Sequence, residues 1–312
     1  MKFFSRILAP KSQPRQVNQV IEQQRTTPLD TPFPEELAQI STAMIEGRRH
    51  RIDVPYALPK DEREISRLDF QHYALRAILE GDFAAPVSPS LKTIIDVGAG
   101  TGRWGIEMAK CFPLATVIGV DLEDVTSLVN RPSNYRFIEG NIFNGLPFSD
   151  ASIDFVHQRL LVGAIPAKKW PQVIRELVRV TAPQGWVEIL ESGNNFNDTG
   201  PVTQEILKNW SELSNMLGFD LSLMFYLDAF MESAGLKNVE MRKVAVPLGK
   251  WAGRAGEMMA RDLQAVFVGF KAAYVTKLGM SPVEFDKLTS QLLHEWDNYH
   301  TTYEFYQAYG QK

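Results

Sequence analysis

The sequence predicts an α/β domain whose central sheet is mostly parallel, and three observations support this class. Residues 93–96 form a short apolar run that leads through three glycines into a helical pattern at 103–112. A second apolar run, 115–120, follows and ends at Asp121. Strands that alternate with helices in this way form βαβ units, and such units build parallel sheets.

The loop after the first strand has an alternating glycine pattern, Asp96-Val97-Gly98-Ala99-Gly100-Thr101-Gly102. Glycines at this position let a ligand approach the backbone N–H groups of a helix N-terminus, because no Cβ stands in the way. The dinucleotide fingerprint would need its third glycine where Arg103 stands. A carboxylate at Asp96 would repel a pyrophosphate and would suit a ligand that carries an ammonium group.

Polar residues follow two further strands at the same edge of the predicted sheet. Asp121 follows Gly98 by about 20 residues, where a carboxylate can accept both hydroxyls of a ribose. A third strand at 135–139 is followed by Gly140 and Asn141. Taken alone, Asn141 is typical of a turn. The order and spacing of the three strand ends favour a nucleoside site.

Later segments continue the alternation of strands and helices. Residues 148–157 form a turn into a fourth strand, 170–181 a helix and 187–190 a fifth strand. We expect a sixth strand at 239–246, helices at 249–273 and 281–299, and a final strand at 301–309.

The pattern D-x-G-x-G-x-G resembles motif I of the class I S-adenosylmethionine (SAM)-dependent methyltransferases. The resemblance implies a Rossmann-like, seven-stranded, mostly parallel sheet with an antiparallel last strand, inserted beside strand six. It also implies SAM as cofactor and S-adenosylhomocysteine as product. The cofactor would be held by the residues that match the family's motifs: Asp96, Gly98, Ala99, Gly100, Gly102, Asp121, Leu122, Asn141 and Ile142.

Three further stretches resemble the LaeA-like (TAM domain) methyltransferases. They are residues 47–73, with a Tyr-x-Leu-Pro-x-Asp turn, residues 157–163 and residues 302–310. This resemblance implies that the cofactor site also includes Tyr56, Arg67 and Gln158, with Tyr56 and Arg67 closing over the methionine end of SAM. The alternative for the helix that carries Arg67 is plain packing beside the sheet.

The chain divides into three predicted parts. Residues 1–35 are basic and interrupted by prolines, which predicts a poorly ordered or extended tail, with an organellar transit peptide as the alternative. Residues 36–90 are expected to be a helical segment packed on the core. Within it, Asp61 is the expected N-cap of a helix and Glu64 is placed to complete a capping box.

Residues 91–312 form the expected SAM-binding domain, with helical insertions at about 194–234 and 249–299. Apolar residues recur in these insertions near helical spacing, which predicts either core packing or a lid over the acceptor pocket. In this architecture a substrate enters over the carboxyl ends of the strands.

Methyl transfer from a sulfonium needs alignment of the nucleophile and exclusion of water, and it needs a general base only when the acceptor must lose a proton. The candidate bases are His157 and Glu191 at predicted strand ends, and His300. Because a histidine is more often a packed or capping residue, the sequence assigns no catalytic base.

Several absences narrow the acceptor. No Asn-Pro-Pro-Tyr-like motif follows strand four, which argues against amino methylation of adenine or of protein amides. The single cysteine, Cys111, lies on the helix after the glycine loop, which argues against a cysteine-adduct mechanism on pyrimidines. No Asp, Glu and His cluster with metal-ligand spacing follows strand four, so we expect metal-independent chemistry.

Composition bears on the partners and the compartment of the protein. The net charge of −4 and the lack of a long basic run do not indicate nucleic-acid binding, and no apolar run reaches membrane-spanning length. One cysteine suits a reducing compartment. We expect a small-molecule O-, N- or C-methyltransferase of secondary metabolism. The alternatives are a SAM-binding regulatory or scaffolding protein, and a fold that uses SAM only structurally.

Overall fold

The computed structural model describes residues 42–45, 47–51, 58–125 and 131–312. The tail predicted at 1–35 and the predicted site residue Tyr56 lie outside these ranges.

The described chain begins with a β-hairpin where the sequence predicted helix within 36–90. Strands β1 (Thr42–Ile45) and β2 (Arg48–Arg51) pair antiparallel around Gly47, whose φ is 75°. Long-range contacts of β2 explain the difference. Arg49 donates to the carboxylate of Glu123, and Arg51 donates to the carbonyl of Leu122. Such tertiary contacts outweigh a local helical pattern.

Helix α1 (Glu62–Leu79) begins where the sequence predicted. Asp61 is the N-cap, and its Oδ1 accepts the N–H of Glu64 at 3.0 Å. The carboxylate of Glu64, expected to complete a capping box, pairs instead with the guanidinium of Arg67 at 2.7 Å. The helix therefore presents a charged pair to the interior one turn after its start.

The central sheet confirms the predicted fold class. Seven strands lie in the order β5-β4-β3-β6-β7-β9-β8, and β9 is antiparallel to both of its neighbours. The strands are β3 Thr93–Val97, β4 Thr116–Asp121, β5 Tyr135–Glu139, β6 Ile153–Arg159, β7 Thr181–Asn197, β8 Lys237–Pro247 and β9 Thr302–Gln311. The remaining helices are α2 Arg103–Cys111, α3 Trp170–Val180, α4 Pro201–Leu217, α5 Leu227–Ser233, α6 Gly253–Gly269, α7 Lys271–Leu278 and α8 Pro282–Tyr299.

Two elements differ in length from the prediction. Strand β7 is much longer than 187–190, and its pairing with β9 shifts register between Ser192 and Phe196, as at a β-bulge. The insertion predicted to be helical from 194 therefore starts as strand, and α4 begins only at Pro201. The helix predicted at 249–273 is broken at Phe270 into α6 and α7.

Among the described residues, two apolar clusters pack these layers together. One packs α2 against β3, β4 and β6 around Trp104 and Phe155, which are almost fully buried. The other joins α1, α4, α6, α7 and α8 to the β8–β9 side of the sheet around Tyr274, Phe285 and Trp296. Within the described ranges, none of the helices has the length and apolar composition needed to cross a bilayer.

Candidate functional site

A cavity opens at the carboxyl ends of β3, β4, β5 and β6, where the strand order reverses around β3. Parallel α/β sheets bind their ligands at this kind of switch point. Most of the residues predicted from the sequence line the cavity. They are Arg67, Gly98, Ala99, Gly100, Asp121, Leu122, Asn141 and Ile142.

The loop after β3 needs glycine at two of its positions. Gly98 has a φ of 74°, and a Cβ built there would lie 2.6 Å from Cδ2 of Leu161. Gly100 has a φ of 53°, in the left-handed region that side chains avoid. The loop is therefore bare backbone where it faces the cavity.

Asp121 fixes the edge of the glycine loop at the end of β4. Its Oδ2 accepts the N–H of Gly100 and its Oδ1 accepts the N–H of Leu122, both at 2.7 Å. The ammonium of Lys60 lies 3.5 Å from Oδ1. A carboxylate offers about four lone-pair sites, so it can accept further hydrogen bonds from ligand hydroxyls.

Asn141 lies at the end of β5 and caps a short 3₁₀ turn, Ile142–Asn144. Its Oδ1 accepts the N–H of Phe143 at 3.0 Å. Asn141 is therefore a turn residue, as its residue type alone predicted. It also lines the cavity, where a carboxamide oxygen with a second lone pair can accept from a ligand amine.

The N-terminal hairpin is tied to the loop after β4 by charged groups. The guanidinium of Arg49 pairs with Glu123 at 3.0 Å, and Arg51 donates to the carbonyl of Leu122 at 3.1 Å. These contacts hold the hairpin beside the Asp121 end of the cavity. These contacts had no signal in the sequence, because both arginines precede their partners by more than 70 residues.

Three of the predicted cofactor residues do not line the cavity: Asp96, Gly102 and Gln158. In β3 and β6 the last residue, Val97 or Arg159, reaches the cavity, and the residue before it lies inside the sheet. Asp96 and Gln158 are those inner residues, and both are buried. Gly102 instead forms the N-cap of α2 in a left-handed conformation.

Asp96 and His157 form a buried pair behind the glycine loop. Nδ1 of His157 lies 2.8 Å from Oδ1 of Asp96, and its ring stacks on Trp104 with 3.7 Å between centroids. His157 does not line the cavity, so it is not placed to receive a proton from an acceptor. The pair supports the loop from the α2 side of the sheet.

The other two candidate bases are also outside the cavity lining. Glu191 lies inside the long strand β7, and its two oxygens accept the N–H groups of Leu161 and Val162, each at 2.9 Å. Burial raises the pKa of Glu191 to about 8, and this effect is larger than the lowering by the two hydrogen bonds. His300 is the left-handed C-cap of α8, and it stacks on Trp251.

We expect Glu191→Gln to remove a pH dependence of stability. A carboxyl whose pKa is near 8 in the folded state and 4.5 when unfolded makes the folded state bind more protons between these values. The contribution of this carboxyl to stability is then greatest below pH 4.5 and falls by up to about 1.4 kcal/mol per pH unit as the pH rises to 8. Glutamine does not titrate, so the variant should lose this fall.

Urea unfolding at pH 5 and pH 8 measures this effect, read as the difference between the two pH values. Glu205→Gln is the matched control, because Glu205 is exposed on α4. Its free energy of unfolding should decrease between pH 5 and pH 8 as much as that of the wild type. If the free energy of unfolding decreases equally in the wild type and in Glu191→Gln, the raised pKa of Glu191 is contradicted.

The far half of the cavity is apolar. Aliphatic and aromatic side chains from α1, α4, α6 and the β7–β9 edge form its wall: Leu58, Leu68, Phe196, Leu207, Trp210, Met259, Leu263, Val266, Phe267, Phe270 and Phe305. The predicted insertions therefore pack in the core, since α4 and α6 belong to the second apolar cluster, and they also line the cavity. Their role as a lid over an acceptor stays a prediction.

One ionic group lies within this apolar half. The carboxylate of Asp262 on α6 accepts from Arg67 at 2.7 Å and from Gln71 at 2.8 Å, and all three residues line the cavity. Burial raises the pKa of Asp262, against the charge of Arg67. Arg67 is thus held by two carboxylates, Asp262 and Glu64.

Sequence reasoning missed three charged residues that line the cavity: Lys60, Arg159 and Asp262. Lys60 belongs to the Leu-Pro-x-Asp turn before α1, and Arg159 is the last residue of β6, so both had a positional signal. Asp262 had none, because it is one acid on a helix that the sequence could equally place in the core.

Comparison with known proteins agrees with this architecture. Residues 94–185 match the sequence profile described as "Methyltransferase domain". Methyltransferase str3 of Strobilurus tenacellus is 35% identical over 202 residues, which cover 62% of this chain and 71% of that protein. Methyltransferase pytC of Aspergillus terreus is 27% identical over 273 residues, covering 82% and 83%. The secondary metabolism regulator laeA of Aspergillus fumigatus is 33% identical over 205 residues, covering 63% and 54%.

A solved structure shows the same fold. It is the Haemonchus contortus phosphoethanolamine N-methyltransferase 2 in complex with S-adenosyl-L-methionine, with a TM-score of 0.52 and 16% identity. The match covers 81% of this chain and 57% of that one. The chain belongs to the class I SAM-dependent methyltransferases. Within that class it resembles the LaeA-like methyltransferases, as its sequence motifs predicted.

Proposed function

We propose that this methyltransferase acts on a small, largely apolar acceptor held in the α4–α6 half of the cavity. One observation carries the proposal: a single cavity runs from the glycine loop to a wall of aromatic and aliphatic side chains. Pockets of this kind hold small organic ligands, with a few polar groups to orient them.

The cofactor half of the cavity supports a definite assignment of groups. We assign the ribose hydroxyls to Asp121, whose carboxylate keeps lone pairs beyond those used by Gly100 and Leu122. We assign the adenine to the segment from Asn141 to Ile142, with the apolar Leu122 on its other side. The bare glycine loop leaves room for the sulfur and its substituents.

When bound, SAM supplies a methyl group already activated by the sulfonium. The chain then has to align the acceptor and exclude water, and the apolar wall from α4 and α6 does both. For an acceptor that must lose a proton, we propose the Asp262 carboxylate as the receiving group. It lies in the acceptor half and its pKa is raised, which suits a base working closer to neutral pH.

The direct test uses SAM labelled in its methyl group, the purified full chain and an extract of the host organism. The proposal expects label in an organic-soluble product of low molecular mass. Label in protein or nucleic acid instead would contradict a small-molecule acceptor.

We expect Trp210→Ala to separate acceptor binding from cofactor binding. Trp210 lines the apolar half and packs edge-on against Phe270, with 4.8 Å between centroids. Its removal should lower methyl transfer at limiting acceptor at least tenfold, because aromatic truncation at such a wall costs about 2 kcal/mol or more. SAM affinity by calorimetry should stay within twofold. A loss of SAM affinity as large as the loss of transfer would contradict the division of the cavity.

A second candidate is a SAM-binding regulator that turns over no small molecule, which the likeness to the secondary metabolism regulator laeA favours. The labelled assay separates the two. Binding of SAM with no transfer to any fraction supports the regulator, and a labelled small product supports the enzyme.

We further propose a cytoplasmic location without nucleic-acid or membrane partners. The net charge of −4 and the single cysteine, which is exposed, support this proposal. Fractionation of host cells tests the location.

A further inference from the structure

Arg159 is a partly buried cation with no ionic partner among the described residues. It is the last residue of β6 and lines the cavity beside the glycine loop. Among the described residues, no carboxylate lies within 4 Å of its guanidinium. The other arginine of the cavity, Arg67, already has two carboxylates. Buried charges in proteins are normally paired.

The one polar contact of Arg159 among these residues is with a neutral group. Its Nη2 donates to Nδ1 of His72 at 2.9 Å. Burial lowers the pKa of His72 to about 3, so the imidazole carries no charge at neutral pH and accepts only through its lone pair. This contact orients the guanidinium without neutralising it.

Two carboxylates interact electrostatically with Arg159 without contacting it, and each of them is paired with another residue. Asp96 is bonded to His157 at 2.8 Å, and Asp82 faces Arg76 at 3.3 Å. The guanidinium therefore keeps donors free for a ligand, and a planar fork of donors matches a carboxylate.

The position of Arg159 indicates which part of a ligand it meets. Asp121 and Arg159 end the two strands that flank β3, about 10 Å apart at two strand spacings. The glycine loop lies between them, and Leu161, two residues after Arg159, contacts Gly98. A nucleoside whose ribose is at Asp121 would extend its 5′ substituent across the loop towards Arg159.

We propose that Arg159 binds a ligand carboxylate, and that this carboxylate is the one on the methionine half of the cofactor. The inference rests on the proposed cofactor site. The resemblance implied that Arg67 closes over the methionine end, and the proposal adds Arg159 there as the group that binds the carboxylate. A carboxylate on the methyl acceptor is the other source of the same chemistry.

Calorimetry with two cofactor forms tests the proposal. SAM and decarboxylated SAM share the ribose, sulfonium and ammonium and differ only in the carboxylate. Wild type should bind SAM about 10- to 100-fold more tightly, the range for a hydrogen-bonded charge pair. Arg159→Gln and Arg159→Met should lose this preference and bind decarboxylated SAM as well as wild type does. Two variants, one polar and one apolar, are used so that a folding defect specific to one replacement does not decide the test.

Arg261→Gln is the matched control, because Arg261 is exposed on α6 and pairs only with its helical neighbour Glu257 among the described residues. It should keep the full preference for SAM. A wild type with no preference for SAM, or Arg159 variants that keep it, would overturn the assignment to the cofactor. Failure of the wild type to bind either form would overturn the proposed function as well.

A second arm identifies a carboxylate on the acceptor. The protein loaded with S-adenosylhomocysteine is titrated with 1-naphthoate and with 1-naphthalenemethanol, which share the ring and differ in charge. A naphthoate preference in wild type that Arg159→Gln abolishes, together with unchanged SAM affinity, would assign Arg159 to the acceptor. If neither arm depends on Arg159, its role in binding a carboxylate is refuted.

Discussion

Asp121→Ala should weaken SAM binding at least tenfold. The side chain is expected to accept ribose hydroxyls, and each hydrogen bond to a charged group contributes about 1.5–3 kcal/mol, equivalent to at least a tenfold change in affinity. The structure adds a second cost, because the same carboxylate holds the N–H groups of Gly100 and Leu122 at 2.7 Å. Without it the glycine loop loses its anchor, so binding should fall further than the ribose contacts alone predict.

Calorimetry of the purified variant measures the effect, with circular dichroism to show that the fold persists. Glu139→Ala is the matched control: it removes an exposed carboxylate from β5, and Glu139 is the direct register partner of Asp121. Its affinity for SAM should equal that of the wild type. Unchanged affinity in Asp121→Ala would count against the whole map of the cofactor half.

The sheet could be predicted from the sequence because its signals are local. Each parallel strand is a short apolar run bounded by a turn, and the observed bounds of β3 and β5 differ from the prediction by at most one residue. The hairpin at 42–51 could not be predicted this way. Its strands are four residues each and are held by Arg49 and Arg51 reaching a loop far along the chain.

The residues that line the cavity were predicted best in the loops that follow the strands, and less well within the strands. Gly98, Gly100 and Asp121 follow from the need for bare backbone and a carboxylate at a strand end, and all three line the cavity. For β3 and β6 the prediction chose the penultimate residue of the strand. Because side chains alternate between faces, these two residues lie inside the sheet, next to the residues that line the cavity, and their role in cofactor binding stays a prediction.

The acceptor half could not be derived from the sequence in the same way. Its wall comes from α1, α4, α6 and β9, which are separated by more than 200 residues, and an apolar stripe that lines a cavity has the same periodicity as one that fills a core. The three candidate bases illustrate the limit. His157, Glu191 and His300 have the right chemistry, yet each is used for packing, loop support or a helix cap.

Gly100→Val should abolish detectable SAM binding, a loss of at least 100-fold, because a branched side chain would occupy the cavity at the glycine loop. A Cβ alone would make only an ordinary contact, 3.5 Å from Cδ1 of Leu68, so it adds backbone strain without filling the cavity. Gly100→Ala should therefore keep partial binding. The two γ carbons of valine extend beyond this contact into the space that we assign to the methionine half of the cofactor.

Backbone strain has to be separated from this steric effect, because Gly100 has a φ of 53° and valine is strained there. Gly279→Val supplies the comparison: its φ is 70°, a Cβ there meets nothing within 4 Å, and it ends α7 outside the cavity lining. Both valine variants should lose a similar amount of thermal stability, while Gly279→Val binds SAM as the wild type does. Binding that survives in Gly100→Val would place the cofactor elsewhere, since no ligand of this size could share the loop with that side chain.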